Sequence, residues 1–251
     1  ETAASLTKLG MQVTVLEMAD RILQRVTAPE LSEFYHRIHT EHGVRILTNS
    51  SAQQFVGQER VEKVVCADGA ELEASLVVIG VGVIPNTELA ETAGLTIENG
   101  IVVDEFCQTN DPDIVAAGDC TSHISKIYGR RIRLESVPNA GEQAKTAAAT
   151  LCGNPKDCTT MPWFWSDQYD LKLQIAGLSQ GYDQVVIRGD KDNGNSFAAF
   201  YLKEGQLLAA DCVNRPKEFM LSKRLITAGD TVAAEKLADE SIPVNELLTQ
   251  A

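Results

Sequence analysis

Gly118 and Asp119 follow an apolar run, residues 114–117, that has the length of a short buried strand. A glycine at a strand end lets a cofactor chain pass close to the backbone, and a carboxylate beside it can accept a hydrogen bond from a sugar-like hydroxyl. An isolated Gly-Asp pair more often forms a turn that caps the strand. Its position downstream of another glycine-containing segment, residues 80–86, favours the cofactor-binding interpretation.

Glu17 also stands at the predicted carboxyl end of a buried strand, residues 12–16. That strand follows an Ala- and Leu-rich helix ending at Gly10, so helix, turn, strand and acid make up half of a βαβ unit. In dinucleotide-binding folds the acid after the second strand binds ribose hydroxyls, and a glycine-rich turn lies about 20 residues earlier. Here that turn would lie upstream of residue 1. Taken alone, a glutamate at a strand end is normally just solvated.

Two further glycines, Gly80 and Gly82, follow the apolar residues 76–79, which we predict to form a buried strand. Glycines at this position place backbone, not side chains, at the end of the strand. A flat ligand could therefore approach the chain closely there.

The composition limits the class of partner. The chain has 251 residues, 35 acidic against 22 Lys and Arg, a formal net charge of −13 and 44% hydrophobic residues, which indicates a globular protein with a sizeable core. Such an acidic chain is a poor partner for nucleic acid or for acidic membranes. No apolar run is long enough to span a bilayer and no signal peptide opens the chain. We therefore expect a cytoplasmic protein that binds neither nucleic acid nor a membrane.

Neither the cysteines nor the histidines predict a metal site. The six cysteines are scattered without a Cys-x-x-Cys motif, so we expect them to be reduced, with Cys152 and Cys158 as the closest pair in sequence. His36, His39 and His42 share one arc of a predicted helix. One helix face cannot surround an ion, and no metal is therefore expected.

The first half of the chain alternates between helices and short strands. Residues 27–30 form a capping-box pattern that predicts a helix ending at Gly43. Short strands are predicted at residues 44–47, 52–56 and 61–67. Asp68-Gly69 is a hairpin signal that joins the last of these to a strand near Leu72.

The second half begins with a predicted helix at residues 138–151. Four strands are predicted near residues 174–178, 184–188, 196–202 and 207–213. The helix after them carries a capping pattern, Asn214-Arg-Pro. We therefore predict an antiparallel sheet with helices on one face.

Four segments are informative together. They are Val81-Gly-Val-Ile-Pro-Asn86, the segment from Thr109 to Gly-Asp119, Glu135-Ser-Val-Pro-Asn-Ala-Gly-Glu-Gln-Ala144, and Pro162-Trp-Phe-Trp-Ser-Asp-Gln-Tyr-Asp170. Together they resemble the FAD-dependent NADH:ferredoxin reductases. The Gly-Asp motif is shared with the wider flavoprotein disulfide reductase superfamily, whereas the last two segments are narrow to this branch. The resemblance spans essentially the whole chain.

The resemblance implies an α/β fold, part of a flavoprotein with Rossmann-like FAD and NAD domains, followed by an α+β carboxyl-terminal domain. We expect the carboxyl-terminal part of the NAD(H)-binding domain at 1–86, the second FAD-domain segment at 87–158 and the reductase domain at 159–251. The implied enzyme passes electrons from NADH through FAD to a [2Fe–2S] ferredoxin that serves a cytochrome P450 or a ring-hydroxylating dioxygenase. The flavin carries the chemistry, so no side chain is named as catalytic.

For FAD, the resemblance assigns Gly118 and Asp119 to the ribityl chain. Val137 would present backbone to the isoalloxazine ring at the start of the helix predicted from residue 138. A helix N-terminus there would stabilise negative charge on the reduced flavin. Trp165 would pack near the flavin edge that faces the ferredoxin.

For NADH, the resemblance places Glu1 where an acid points toward the nicotinamide. Glu17 matches the acid that binds the ribose hydroxyls and would repel the additional phosphate of NADPH. Gly80 and Val81 would line the nicotinamide pocket.

The ferredoxin-docking surface is predicted from local charge. Five basic residues lie close together in this acidic chain, namely Lys126, Arg130, Arg131, Arg133 and Lys145. Because ferredoxins of this type are acidic, a positive patch beside Val137 would steer their approach. We expect Lys145 and Trp165 at the docking centre. The other interpretation is a solvated loop and helix face.

Members of the family are longer, and they begin with a first FAD βαβ unit and an NAD glycine turn that are absent here. The chain therefore resembles a carboxyl-terminal fragment and is expected to bind FAD poorly by itself. One alternative is a flavin-free fragment that only binds a nucleotide or docks a partner. Coenzyme A disulfide reductases and NADH oxidases are a further alternative, against which the Trp-Phe-Trp segment argues.

Overall fold

Helices and strands alternate along residues 1–159 and 161–248, the part of the chain that the computed structural model describes. The helices in these ranges are α1 Thr2–Lys8, α2 Pro29–Glu41, α3 Glu88–Thr92, α4 Val137–Leu151, α5 Pro216–Ala228 and α6 Ala234–Ala238, with a 3₁₀ helix at Val244–Leu248. The strands are β1 Thr14–Leu16, β2 Arg45–Leu47, β3 Ala52–Val56, β4 Lys63–Cys66, β5 Glu71–Glu73, β6 Ile101–Val102, β7 Thr121–Ser125, β8 Arg130–Ile132, β9 Trp163–Gln168, β10 Leu171–Gly177, β11 Gln184–Asp190, β12 Ser196–Lys203 and β13 Gln206–Val213. No helix in the described ranges is long and apolar enough to cross a membrane.

The predicted helix, turn and strand at the start of the chain are confirmed as α1 and β1, and a βαβ unit that was not predicted follows them. β1 and β2 pair in parallel, with Val15 opposite Ile46, and α2 connects them along the chain. α1 precedes β1, and Gly10 in the turn between them has a φ of +81°, a left-handed conformation that favours glycine. Glu17 therefore follows directly after a strand of a parallel pair.

The predicted hairpin at Asp68-Gly69 is confirmed, because β3, β4 and β5 form an antiparallel sheet. The predicted strand at residues 76–79 is wrong. These residues have no strand partner among the described residues, and Leu76, Val78 and Ile79 are 53%, 58% and 64% exposed. An apolar run becomes a strand only when a neighbouring chain accepts and donates its backbone hydrogen bonds.

The predicted strand at residues 114–117 is also wrong. Val115 makes an isolated bridge with Gln108, and the turn before it is closed by a hydrogen bond from Ile114 N to Asp111 O at 3.1 Å. Local turn hydrogen bonds therefore replace a strand ladder. The segment still leads into Gly118, which has a φ of +93°.

The carboxyl-terminal sheet has five antiparallel strands in the order β11-β12-β13-β10-β9. The four predicted strands are confirmed, and β9 adds the Trp-Phe-Trp segment as an edge strand. Helices cover both faces of the sheet, not one face as predicted. α5 packs on one face through Phe219 and Leu225, and α2 packs on the other through Phe34 and Tyr35. Because residues 197–202 of β12 are all apolar, neither face of that strand can be left to solvent.

Two predicted helix caps are wrong. α2 begins at Pro29 without a side-chain cap, and the Thr27 hydroxyl donates to Leu23 O at 3.3 Å instead. α5 begins after Arg215, also without a side-chain cap. The Asn214 side chain accepts a hydrogen bond from Lys172 N at 2.9 Å and so links two strand ends. In both cases a nearby backbone group competes for the capping side chain.

His39 in α2 and His42 just after it pack against the turn between β9 and β10. His39 is buried, with Nδ1 2.8 Å from Tyr169 Oη and Nε2 2.9 Å from Gln168 Oε1, and burial lowers the pKa of His39. His42 stacks on the Tyr169 ring with centroids 3.7 Å apart. No group of His, Cys, Asp or Glu side chains suited to a metal ion occurs in the described part of the chain.

Asp211 in β13 is a buried acid in the sheet. It is 1% exposed, and its Oδ2 accepts a hydrogen bond from Tyr201 Oη at 2.5 Å. Burial raises the pKa of Asp211 to about 7, while the hydrogen bond from Tyr201 opposes that rise. The Asp211 charge in turn contributes to raising the pKa values of Tyr201, Tyr35 and Cys212, in each case after burial itself.

Asp211→Asn is expected to flatten the pH dependence of stability. The folded protein holds the Asp211 proton more tightly than the unfolded chain does, so the free energy of unfolding should fall as pH rises between about 4 and 7. The slope is at most about 1.4 kcal/mol per pH unit. Urea unfolding of wild type and variant across this window measures the difference, with exposed Asp170→Asn as the control. Parallel pH profiles for wild type and Asp211→Asn would contradict the expectation.

Candidate functional site

The turn at Gly118 and Asp119 is fastened to α4. Gly118 N donates to Gln143 Oε1 at 2.8 Å, and Gly118 O accepts from Thr121 N at 3.0 Å. A side chain at position 118 would meet Ala140 Cβ at 3.8 Å, so the turn lies close to the first turns of α4. The positive φ at Gly118 makes glycine the favoured residue in this turn.

Gln143 holds this region together through hydrogen bonds, and it was not among the residues predicted from the sequence. It is 1% exposed, and its Oε1 accepts hydrogen bonds from Gly118 N, the Thr121 hydroxyl and Asn139 Nδ2 at 2.8, 2.8 and 3.3 Å. The available signal was its place in the segment 135–144, where it is a polar residue on the buried face of a helix. We assign Gln143 as a positioning residue for the turn.

The Asp119 carboxylate is exposed beside this turn. Within the described residues no hydrogen bond or ion pair engages it, while its backbone oxygen accepts from Arg133 Nη1 at 3.2 Å. The backbone is thus held while the carboxylate is free to accept hydrogen bonds from a ligand hydroxyl.

The N-terminus of α4 meets β9. Ser136 precedes the helix, and its hydroxyl donates to Trp163 O at 3.0 Å instead of capping the helix. Val137, the first helical residue, is 72% exposed. Trp165, 43% exposed, lies 5.6 Å from Trp163 between ring centroids. The start of α4 therefore combines uncapped backbone N–H groups with an exposed indole.

Glu17 occupies a short turn after β1. Its Oε1 accepts a hydrogen bond from Ala19 N at 2.9 Å. Arg21, the first arginine after Glu17, donates to Thr27 O at 2.9 Å and to the Ser32 hydroxyl at 2.6 Å. Those bonds hold Arg21 within its own loop, so it does not neutralise Glu17.

The segment around Gly80 is exposed. Val81 is 87% exposed, and a side chain added at Gly80 would meet nothing within 4 Å. Gly82 has a φ of +106°, and a side chain there would lie 3.2 Å from Arg25 Nη1. Glu1 is exposed at the N-terminal end of α1, where its backbone oxygen accepts from Ser5 N at 2.9 Å.

The structure brings the predicted FAD-binding residues together. Gly118, Asp119, Val137 and Trp165 are connected through α4, by the Gln143 bonds at one side and the Ser136 bond at the other. The predicted NAD residues lie at three separate places, namely the start of α1, the turn after β1 and the exposed segment after residue 79, and no hydrogen bond or ion pair among described residues joins these places to one another or to the predicted FAD-binding residues. They are Glu1, Glu17, Gly80 and Val81.

The predicted basic patch is largely paired with acids. The pairs are Lys126–Asp157 at 2.5 Å, Arg131–Glu98 at 3.0 Å, Arg133–Glu135 at 2.8 Å and Lys145–Glu142 at 2.6 Å. Arg130 instead lies over the Tyr128 ring at 5.9 Å. The local positive potential is therefore weaker than the count of basic residues implied. Lys145, whose side chain is 75% exposed, remains the most accessible of the paired residues.

Two family profiles match the chain. The pyridine nucleotide-disulphide oxidoreductase family matches residues 1–144, and the reductase C-terminal family matches residues 163–248. The second match covers the five-stranded sheet together with α5 and α6. The resemblance inferred from the motifs, and with it the fold class, is thereby confirmed.

Individual relatives agree with these profiles. Putidaredoxin reductase of Pseudomonas putida is 48% identical over the whole chain and 60% of the relative. The 5,5'-dehydrodivanillate O-demethylase ferredoxin reductase subunit of a Sphingobium strain is 43% identical over 98% of the chain and 60% of the relative. The crystal structure of the covalent putidaredoxin reductase–putidaredoxin complex superposes with a TM-score of 0.95 at 47% identity, covering 99% of this chain and 60% of that chain.

The chain thus spans about 60% of the length of the curated relatives it matches. Over that length the first profile covers the helices and strands up to α4, and the second covers the sheet at the carboxyl end. The chain belongs to the pyridine nucleotide-disulphide oxidoreductase family and carries a reductase C-terminal domain.

Proposed function

We propose that this chain forms part of an NADH-dependent ferredoxin reductase that uses FAD and acts in the cytoplasm. Its electron acceptor is a [2Fe–2S] ferredoxin that serves a cytochrome P450 or a ring-hydroxylating dioxygenase. One observation carries the proposal. The Gly118–Asp119 turn and the start of α4 are held together by Gln143 in a chain that matches both family profiles.

The residues of this region fit a flavin dinucleotide. The unengaged Asp119 carboxylate can accept hydrogen bonds from sugar-like hydroxyls, and Gly118 leaves room for a chain to pass. The uncapped N–H groups at the start of α4 favour a neighbouring negative charge. When bound, FAD supplies the chemistry that converts a two-electron hydride donor into two one-electron transfers.

The protein side chains divide the remaining tasks. Asp119 binds and orients, Gln143 keeps the turn against α4, and the start of α4 stabilises negative charge electrostatically. Trp165 covers part of the region with an apolar ring that is still exposed to a partner.

Glu17→Gln tests the nicotinamide part of the proposal. The Glu17 carboxylate would accept hydrogen bonds from ribose hydroxyls and repel the phosphate of NADPH, and Arg21 is held elsewhere. In the flavin-loaded protein we expect the ratio of the NADH to the NADPH specificity constant to fall about tenfold, a change of roughly 1.4 kcal/mol.

Steady-state kinetics with each nucleotide measures this ratio. Glu59→Gln, which removes an exposed acid from a distant loop, serves as the matched control and should leave the ratio unchanged. An unaltered ratio in Glu17→Gln would remove Glu17 from ribose recognition.

Lys145→Glu tests the ferredoxin-docking part. The exposed Lys145 side chain projects from the helix that begins at Val137, and reversing its charge beside Glu142 adds repulsion toward an acidic ferredoxin. Ferredoxin reduction at low ionic strength should slow roughly 3- to 10-fold, while reduction of the flavin by NADH stays unchanged. Lys203→Glu, at the far end of β12, is the control. Equal ferredoxin rates for wild type and Lys145→Glu would place docking elsewhere.

A further inference from the structure

Two cysteines that are distant in sequence lie side by side in the fold. The Cys158 thiol is the largest single cause that raises the pKa of the Cys107 thiol, as expected for neighbouring side chains. Cys107 is 1% exposed, whereas Cys158 is half-buried and reachable from solvent. Cys152, the cysteine nearest to Cys158 in sequence, is exposed at the end of α4.

The two segments that carry these thiols are fastened to each other. Cys158 N donates to Glu105 O at 2.7 Å, so the two backbones run in direct contact. Lys126 Nζ lies between the neighbouring acids, 2.5 Å from Asp157 Oδ2 and 3.9 Å from Glu105 Oε1. These contacts hold the two chain segments together and so keep the two cysteines close to each other.

Cys107 is held in a rigid loop. Asp104 Oδ1 accepts hydrogen bonds from Phe106 N and Gln108 N, both at 2.9 Å, and Cys107 itself has a left-handed φ of +61°. Its carbonyl oxygen accepts from Ala116 N at 3.0 Å. A non-glycine residue in this conformation persists only when its surroundings hold it there. The buried Cys107 thiol is therefore held in a fixed position.

We propose that Cys107 and Cys158 are a thiol–disulfide exchange site, which forms an intramolecular disulfide on reaction with a low-molecular-weight disulfide such as glutathione disulfide. In the first step the Cys158 thiolate attacks one sulfur of glutathione disulfide, forms a mixed disulfide and releases one glutathione thiolate. Cys107 then loses its proton to solvent and attacks Cys158 sulfur, which releases the second glutathione. In total the protein loses two protons and two electrons. Glutathione disulfide gains them and becomes two molecules of glutathione.

The order of the two attacks follows from accessibility. The hydrogen bond with Cys158 and burial both raise the pKa of the Cys107 thiol, so Cys107 stays protonated and inert toward external disulfides. The half-buried Cys158 meets the oxidant first. Cys107 acts as the resolving thiol because it is already in place.

The disulfide would connect two parts of the candidate site, although the inference does not rest on the proposed function. The Cys107 loop bonds to Ala116, two residues before Gly118. Cys158 lies in the segment that joins α4 to β9, the strand that carries Trp165. Oxidation would thus tie the connecting segment to the loop beside the Gly-Asp turn.

Peptide mapping tests the proposal. The purified protein is incubated with glutathione disulfide, free thiols are blocked with N-ethylmaleimide, and the digest is analysed by mass spectrometry without reduction. We expect a peptide pair linked through Cys107 and Cys158 that dithiothreitol releases. Cys158→Ser should abolish the link, and the matched control Cys152→Ser should retain it. Glutathione attached to Cys158 without any cross-link, or a Cys152–Cys158 link, would overturn the proposal.

A thermal melt provides a second readout that needs no substitution in the buried loop. A disulfide that closes the long segment between positions 107 and 158 restricts the unfolded chain, so oxidised wild type should melt several degrees above the reduced form. The shift should vanish in Cys158→Ser and persist in Cys152→Ser. Equal melting temperatures for oxidised and reduced wild type would contradict a disulfide that fits the native fold.

Discussion

Arg188→Met is expected to lower the free energy of unfolding by roughly 3–5 kcal/mol, the largest effect of any substitution considered. Arg188 in β11 is 3% exposed, and its guanidinium donates to Leu237 O, Asp239 O and Ile242 O at 3.2, 2.6 and 2.6 Å. Its Nε also lies 3.4 Å from Glu218 Oε1. Methionine fills similar space but leaves one buried and two partly buried carbonyl acceptors without this donor.

Urea unfolding measures this loss. Arg224→Met is the matched control, because Arg224 is exposed on α5 and the same change there should shift stability by less than about 0.5 kcal/mol. The segment that contains α6 should also become more sensitive to proteolysis in Arg188→Met, since Arg188 binds the backbone at its end. A loss below about 1 kcal/mol would show that the carbonyl contacts contribute little.

Asp119→Ala is expected to weaken FAD binding by about 10- to 150-fold in the flavin-loaded protein, the range for one hydrogen bond to a charged group. The carboxylate is exposed and has no partner among described residues, so its removal should leave the fold intact. Equilibrium dialysis or flavin fluorescence gives the dissociation constant.

The matched control for this loss is Asp113→Ala, an exposed acid in the turn that leads to the same segment. Asp113→Ala should bind FAD as wild type does. If Asp119→Ala retained the wild-type dissociation constant, the carboxylate would not take part in flavin binding.

The sequence predicted those elements whose hydrogen-bond partners are local or whose apolar pattern leaves one solution. The β4–β5 hairpin follows from Asp68-Gly69, and the core strands β12 and β13 follow from long apolar runs between turns. The N-terminal helix and strand, α1 and β1, follow from the order of an Ala- and Leu-rich run, Gly10 and a short apolar run.

Elements that depend on distant partners were predicted less well. Residues 76–79 are apolar enough for a strand, but strand formation is decided by a neighbour that the local pattern does not reveal. The packing of α2 on the carboxyl-terminal sheet was not predicted for the same reason. The apolar face of a helix shows that it is buried but not which surface it covers.

The site shows the same division. Gly118 and Asp119 were predicted because a glycine followed by an acid at the end of an apolar run is a readable local motif, and the structure adds the positive φ of Gly118. Gln143 was missed because a buried glutamine has no such signature until its three hydrogen-bond donors are known. The basic residues were counted correctly, but the fold decides their pairing with acids: Asp157 and Glu98 come from other loops, and Glu142 comes from the preceding turn of α4.

Anaerobic titration of the intact, flavin-loaded protein of which this chain forms part tests the central claim most directly. NADH is added first, followed by an oxidised [2Fe–2S] ferredoxin, while the visible absorbance of the flavin and of the iron–sulfur cluster is recorded. We expect NADH to bleach the flavin band, and the ferredoxin to restore that band while its own cluster becomes reduced. A flavin band that NADH leaves unchanged, or a ferredoxin that stays oxidised beside reduced flavin, would contradict the assignment as a ferredoxin reductase.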